Sequence, residues 1–452
     1  MKNFNFKTER EVLNFLKNSK DNVKFIRIIF SDVLGREMNF TIPSNELKSA
    51  FAQGKGFDGS SVEGFARIEE SDLIIVPDPK TFRVLPWKYE VENCVWKEAV
   101  VFGDIFTSKS QHFPGDSRYC LKKVLEKNKK FGNIFVGPEL EFFIFENENE
   151  PKLLDHGGYF YGGKWGEIRK VSQLYLKEMG IEIECDHHEV APSQHEVDLK
   201  FSDALTIADS IMLTKYIIKR VSRKLDLFAS FMPKPITGLC GSGMHLHLSL
   251  WKNNKNLFFK DGILSDLAKE YIAGLIKYGK EIQVVLNQWV NSYKRLVPGY
   301  EAPVYMAWGT KNRSAYIRVP EYQAGKEDST RIELRSPDSA CNIYLVLAVI
   351  QATGVRGIKE NLKFFLAEEK DIYEMKKSEM KRKKIKVLSK NLKKALFLFK
   401  KSNFCKDVLG EHIFEKIIQN KEIEYAEYLK SVGKKFETEV SPYEIKKYFP
   451  VL

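Results

Sequence analysis

The chain has 452 residues, 43% of them hydrophobic and 13% aromatic. That is ample for a packed core in two domains, or in one large domain with an appendage, and it argues against intrinsic disorder. The net charge of +12 invites a nucleic-acid reading, but twelve Lys/Arg against the single acid Glu379 fall between Lys376 and Lys401, so the remainder is almost neutral.

From the N-terminus, Met1 to Lys7 turns polar at once and lacks the apolar stretch of a secretory signal. Short β-rich runs at Val23 to Phe30, Leu73 to Pro77 and Val95 to Val101 alternate with loops, and Gly54 to Gly64 reads as a glycine- and serine-rich loop. A polar break from Thr107 to Asp116 precedes a helix over Ser117 to Lys130. Beyond it strands mix with longer helices, notably Asp203 to Leu225 and Ser339 to Asn361. In the basic stretch, Leu388, Leu392, Leu396 and Phe399 recur at helical spacing, which predicts an amphipathic helix with lysines on its wet face. No aromatic interleaving accompanies that charge, so a solvated face is preferred to a nucleic-acid site. No run of about 20 apolar residues is available to span a membrane. The six cysteines (Cys94, Cys120, Cys185, Cys240, Cys341, Cys405) lack framework spacing, which fits reduced thiols and a cytoplasmic protein.

Four segments carry chemistry. Glu139 and Glu141 lie two residues apart, so on a strand both face one side. His245, His247 and Ser249 share one strand face, with Leu246, Leu248 and Leu250 on the other. In Arg331-Ile332-Glu333-Leu334-Arg335 two arginines flank a glutamate on a single face. Glu189 and Glu196 sit around a proline bend at Pro192. Glutamate-dominated sites with an occasional imidazole suit Mg2+ or Mn2+, which usually bind together with substrate phosphates. Zinc would call for more Cys or His at close spacing. The arginines suit bidentate clamping of phosphate or carboxylate. Together these residues point to phosphoryl transfer with charge neutralisation as the main catalytic term.

At these residues the chain closely resembles a bacterial type I glutamine synthetase. The matching stretches keep the family's order: Phe57-Asp58-Gly59-Ser60-Ser61, Pro138 to Phe142, His187 to Glu196, Gly241-Ser242-Gly243-Met244-His245, Asn291 to Pro303, Asn312-Arg313-Ser314 and Arg331 to Arg335. The resemblance implies an α+β fold, with a small N-terminal β-grasp domain over 1–106 and a larger catalytic domain over 107–452 built on a curved antiparallel sheet. It implies ATP-dependent joining of ammonia to glutamate through a γ-glutamyl phosphate, with two or three Mg2+ or Mn2+ ions per site. It also implies a homo-dodecamer of two stacked hexamers, with active sites between adjacent subunits.

By the same resemblance, Glu141, Glu189 and Glu196 hold one ion, and Glu139, His245 and Glu333 a second. His247 and Arg331 meet the β-phosphate, and Arg313 and Arg335 the transferred phosphoryl group. Arg295 clamps the glutamate α-carboxylate, near Gly241 and Cys240. Glu184, Phe201 and Ser249 are nucleotide contacts. Asp58 enters the neighbouring subunit's site to bind and deprotonate ammonium, while Glu301 closes the pocket and Tyr159 stands beside it.

Three departures from the family stand out. Cys240 replaces an asparagine beside the bound glutamate. Asp328 occupies a position where many relatives carry lysine, with Lys326 close by in sequence. The segment adenylylated in one branch is absent, with Tyr373 instead in Asp371-Ile372-Tyr373-Glu374-Met375. The run Ser329 to Arg335 and Gly64-Phe65-Ala66-Arg67 resemble the branch controlled by direct glutamine feedback, with Arg67 as the candidate regulatory residue. Two rival readings remain within the fold: a sister ligase acting on an amine or polyamine, which Cys240 keeps open and Asp58 with Glu301 opposes, and a non-enzymatic relative, which should have lost metal ligands.

Overall fold

A computed structural model describes residues 6–452 apart from 63, 65–71, 109, 164, 301, 311, 313, 322–324, 364–366 and 434–437. Its N-terminal part runs α1 (Glu9–Asn18), β1 (Val23–Ser31), β2 (Glu37–Pro43), α2 (Leu47–Gln53), β3 (Lys55–Asp58), β4 (Asp72–Pro77), β5 (Arg83–Val84), β6 (Tyr89–Val91) and β7 (Cys94–Thr107). These strands form a sheet in the order β2-β1-β7-β4-β3, with β1 parallel to β7 and the other neighbours on that path antiparallel. Both central strands are buried on two faces, which is why they read as near-continuous apolar runs. Ile26, Ile28, Ala99 and Val101 pack with Val12, Leu47 and Phe51 of the two helices, while Ile29, Val100 and Phe102 face the larger core of the remaining chain. The expected loop from Gly54 to Gly64 contains an edge strand instead: β3 pairs with β4 from Lys55 opposite Ile75 to Asp58 opposite Asp72. That pairing satisfies backbone groups which local turn propensity leaves open.

The second part contains α3 (Ser117–Asn128), β8 (Asn133–Phe145), α4 (Gly166–Glu178), β9 (Ile183–His188), β10 (Gln194–Leu199), β11 (Ser202–Asp203), α5 (Ala204–Lys224), β12 (Phe228–Ser230) and β13 (Met244–Lys252). There follow the short strands β14 (Lys255–Asn256), β15 (Phe259–Lys260) and β16 (Ile263–Leu264), then α6 (Asp266–Leu286), α7 (Ser292–Arg295), β17 (Tyr305–Gly309), β18 (Ala315–Arg318), β19 (Ile332–Leu334) and α8 (Ile343–Lys359). The chain closes with α9 (Lys377–Arg382), β20 (Lys386–Val387), α10 (Leu392–Lys400), α11 (Asn403–Leu409), α12 (Glu411–Val432) and α13 (Pro442–Tyr448).

The large curved sheet is ordered β20-β17-β18-β19-β13-β8-β10-β9 and is antiparallel except for the β17/β18 pair. One face buries Val136, Leu140, Leu246, Leu248, Ile332 and Leu334 in the main core with α5, α6 and α8. The other face is polar and lines a cavity.

Helix ends follow their caps. Asp116 accepts from Arg118 and Tyr119 N–H, and Asp203 from Thr206 N–H, so α3 and α5 start where the sequence predicts. The helix expected from Ser339 to Asn361 begins later, as α8 at Ile343. The Ser339 hydroxyl donates to the Glu141 and Gly243 carbonyls, and the cap falls to Asn342, which accepts from Leu345 N–H. The basic stretch is not one amphipathic helix. It breaks into α9, the sheet strand β20 and α10, and Leu388 precedes the final helix; all four apolar positions are nonetheless buried. Competition from the edge of β17, which pairs with β20, breaks the helical period.

Arg118 joins the two parts. Fully enclosed, it donates to Asp78 and Asp104 on the N-terminal side and to Asp209 of α5, at 2.7–3.1 Å. Among the described residues, no helix is long and apolar enough to cross a membrane.

Candidate active site

Strand register gathers the chemistry. On the polar face, Glu196 of β10 stands opposite Glu141 of β8 on one side and His187 of β9 on the other. One step along, Asp198 stands opposite Glu139, which in turn faces His245 of β13. His247 lies opposite Glu333 of β19, and Glu333 opposite Arg318 of β18. Alternation on each strand turns the leucines inward and these groups, His247 excepted, into a cavity of about 550 Å3. Glu189, Cys240, Gly241, Tyr159, Arg295 and Arg335 also line it.

Two trios bring ligand atoms within 4.8 Å of one another: Glu139 with His247 and Glu333, and His187 with Glu196 and Asp198. His245 belongs to the same knot, its Nδ1 2.8 Å from Glu139 and 3.6 Å from Glu333. Glu141 is held by Gln194 Nε2 at 2.9 Å and Gly243 N–H at 2.8 Å, with His245 Nε2 3.8 Å away. Glu189 lies 3.5 Å from His187, on the turn where Ser193 takes a positive φ.

Packed into this buried face, Glu196 is pushed up to about 12, first by burial and then by Glu141, Asp198, Glu139 and Glu189. Burial also works against ionisation of Glu139, but hydrogen bonds from His245 and His247 outweigh it and hold that carboxyl well below the usual range. Burial opposes ionisation of Glu333 too, and Arg335 with the two imidazoles brings it below its ordinary value. Glu139 reciprocally raises His247 despite its burial. This donor set, rich in carboxylate with a few imidazoles, fits hard divalent ions, which supply the counter-charge that lets such a crowd ionise together.

The glycines of Gly241-Ser242-Gly243 are required by close approach. A Cβ on Gly241 would stand 2.2 Å from the Pro233 carbonyl oxygen, and one on Gly243 2.4 Å from an Arg295 nitrogen. Arg295 therefore lies flat beside the strand, donating to the Ser336, Pro337 and Arg335 carbonyls at 2.9–3.2 Å.

At the other end, Arg331 Nε donates to His247 Nδ1 at 3.0 Å. Nearby on β13, Ser249 accepts from the Trp251 indole, and Trp251 stacks on Phe201, which is 55% exposed. Tyr159 packs edge-on to His187. Glu184 is exposed at the bulge between β9 and β10, outside the cavity. Asp58 is also outside it, on the edge strand β3, where hydrogen bonds from the Ser60 hydroxyl and then its N–H hold the carboxylate below its ordinary pKa. Glu301, Arg313 and Arg67 lie outside the described residues.

Sequence reading missed His187, Asp198, Gln194 and Arg318. Asp198 follows Glu196 by two residues and His187 precedes Glu189 by two, so strand alternation was available as a signal for both. Arg318 had none, since only sheet pairing brings it to Glu333, at 2.8 Å.

A curved sheet with two acidic knots able to hold divalent ions and converging arginines, next to a parallel-paired small sheet, is the arrangement of a metal-dependent ligase of the phosphoryl-transferring kind. Residues 114–448 match the family described as "Glutamine synthetase, catalytic domain" and 22–108 that described as "Glutamine synthetase, beta-Grasp domain". The chain is 42% identical to the glutamine synthetase of Methanosarcina mazei over 456 residues, covering 98% of each. It is also 42% identical to that of Thermotoga maritima, covering 95% of this chain and 97% of the relative. Among solved structures, a cryo-EM glutamine synthetase of Plasmodium falciparum superposes with a TM-score of 0.84 at 27% identity, covering 99% of this chain and 100% of that one. The chain belongs to the glutamine synthetase family, whose members form glutamine from glutamate, ammonia and ATP with divalent metal ions.

Proposed function

We propose that this chain is a glutamate–ammonia ligase of the feedback-regulated, non-adenylylated branch, acting through a γ-glutamyl phosphate. The observation that carries this reading is the cross-strand register of β9, β10, β8, β13 and β19, which turns four glutamates, Asp198 and the imidazoles of His187 and His245 into one cavity beside Arg295 and Arg335. Two or three Mg2+ or Mn2+ ions, held by Glu141, Glu189 and Glu196 and by Glu139, His245 and Glu333, would neutralise phosphate charge and polarise the transferred group. His187, Asp198 and His247 stand close enough to share that work.

Arg295 holds the glutamate α-carboxylate, with Gly241 and Cys240 beside it, and aims the γ-carboxylate at the terminal phosphorus of ATP. A carboxylate oxygen forms the new P–O bond and ADP departs. Arg335 and Arg313 balance charge on the transferred phosphoryl, while Arg331 and His247 hold the β-phosphate. Phe201 and Ser249 provide a stacking edge for the adenine, and Glu184 a further nucleotide contact. Ammonium gives a proton to Asp58 of an adjacent subunit or to Glu301. The ammonia nitrogen then attacks the γ-carbonyl carbon, the C–O bond to phosphate breaks, and the surplus N–H proton passes to Glu301 or to the departing phosphate. Glu301 and Tyr159 keep water from the acyl phosphate.

Placing Asp58 on an exposed edge strand, away from its own cavity, favours a ring in which each site borrows this residue from its neighbour. The reading includes a cytoplasmic dodecamer, a division at 106/107, and Arg67 as the feedback residue. A coupled assay of ADP and glutamine formation, run on the wild type and on Asp58→Ala with ammonium and with putrescine, tests it. Glutamine formation that collapses in the variant supports the proposal, and turnover with putrescine alone overturns it. Light scattering at the mass of twelve chains tests the assembly.

A further inference from the structure

A second cavity, of about 600 Å3, lies between β1 and β2 of the N-terminal sheet and α5 of the larger part. It differs from the first in being cationic. Lys215, Lys219 and Arg223 are spaced at i, i+4 and i+8, so one face of α5 delivers all three, with Arg220 adjacent. Arg27 and Arg36 also line the wall, but Glu98 and Asp32 neutralise them at 3.0 and 2.6 Å. The α5 cations lack such partners: among the described residues, no carboxylate lies within ion-pair reach of Lys215, Lys219, Arg220 or Arg223. Arg220 Nε is buried without an acceptor and its guanidinium lies over the Trp87 ring. Among the described residues, the Lys219 ammonium donates to the Val451 carbonyl alone, at 3.1 Å, and lies over the Phe231 ring. Among the described lining residues Glu37 alone has a side-chain carboxylate, and it lies near enough to Lys219 to favour that ammonium's charged form.

Like charges at i, i+4 repel, and moving them out of water makes the repulsion worse. A helix carrying this arrangement into a walled space is stabilised by whatever counter-charge enters. The space suits a small ligand. We infer that this cavity binds a small, multiply charged anion of the dicarboxylate or phosphate kind, gripped by Lys215, Lys219, Arg220 and Arg223.

Ser339 lines the cavity too, and its hydroxyl donates to the Glu141 and Gly243 carbonyls at 2.7 Å. The wall of this cavity thus includes the segment that supports the strands of the metal site. Burial, with Lys215 and Arg223 nearby, lowers Lys219 to about 8, in keeping with an ammonium short of counter-charge.

Calorimetry on the full chain at low ionic strength, with inorganic phosphate and separately with succinate, tests the site. Wild type is compared with Lys219→Ala/Arg223→Ala, and with Lys393→Ala/Lys394→Ala as a control on exposed lysines. At least one of the two anions should bind with an affinity that falls ten-fold or more in the first variant and is unchanged in the control. Because phosphate also leaves the active site as product, only the component lost in the α5 variant counts. Binding of succinate alone, phosphate alone or both assigns the ligand class. Failure of both anions to bind, or equal affinity in wild type and α5 variant, overturns the inference. Should the double variant not fold, Lys219→Met carries the same comparison through melting: either anion should raise the wild-type Tm, and the gain should shrink in the variant. An equal gain in both refutes the site.

Discussion

The two cavities are built by opposite means. The first is acidic and made from a sheet, whose register sets carboxylates and imidazoles from five strands side by side. The second is basic, and its cations without carboxylate partners come from one helix, whose periodicity stacks them along a single face. A sheet collects residues far apart in sequence, so the acidic site needs the whole fold to exist. A helix needs only its own sequence to align its charges, and the fold adds the wall. Both cavities concentrate like charge, and each therefore draws stability from a counter-ion of the other sign.

Glu333→Gln strikes the first cavity hardest. It removes a buried carboxylate between His247 and Arg318, and kcat/KM for glutamine formation should fall about 100- to 1000-fold. A loss below ten-fold would detach the metal role from this register. In thermal or urea unfolding, Mg2+ at about 100 times its Kd should add about 2.7 kcal/mol to the wild type, and far less to the variant. Equal stabilisation of both would place the ion elsewhere.

Ser339→Ala probes the wall between the cavities. It deletes one hydroxyl that donates to two strand carbonyls and should cost about 1 kcal/mol in urea denaturation. The smallest expected effect concerns the basic cavity. Lys219 sits at about 8 in the folded protein against its ordinary 10.5, so between those values the unfolded chain holds more protons and stability rises with pH. The melting temperature of wild type minus that of Lys219→Met should accordingly increase from pH 8 towards pH 10 in anion-free buffer. A flat difference would mean that this ammonium is not desolvated.

Alternation alone was enough to put Glu139 with Glu141, and His245 with His247 and Ser249, on shared faces, because the period of a strand is two. Helix ends at Asp116 and Asp203 were equally local, since a side-chain cap needs only its own neighbours. The errors fall where pairing competes with local preference. Lys55–Asp58 becomes a strand because β4 offers it hydrogen bonds, and the basic stretch splits because β17 recruits Lys386–Val387.

Residue types and their spacing, by themselves, determined the class of chemistry here: hard carboxylates with imidazoles for divalent ions, arginine forks for phosphate, and the strand faces that present them. Only the tertiary structure decided which of these groups meet. Cross-strand register, which no local pattern encodes, brought Arg318 to Glu333 and Asp198 opposite Glu139, and closed the N-terminal sheet over the charged face of α5. Local sequence fixes a side chain's direction relative to its own strand or helix; its partner is set by long-range packing, which depends on the whole chain at once.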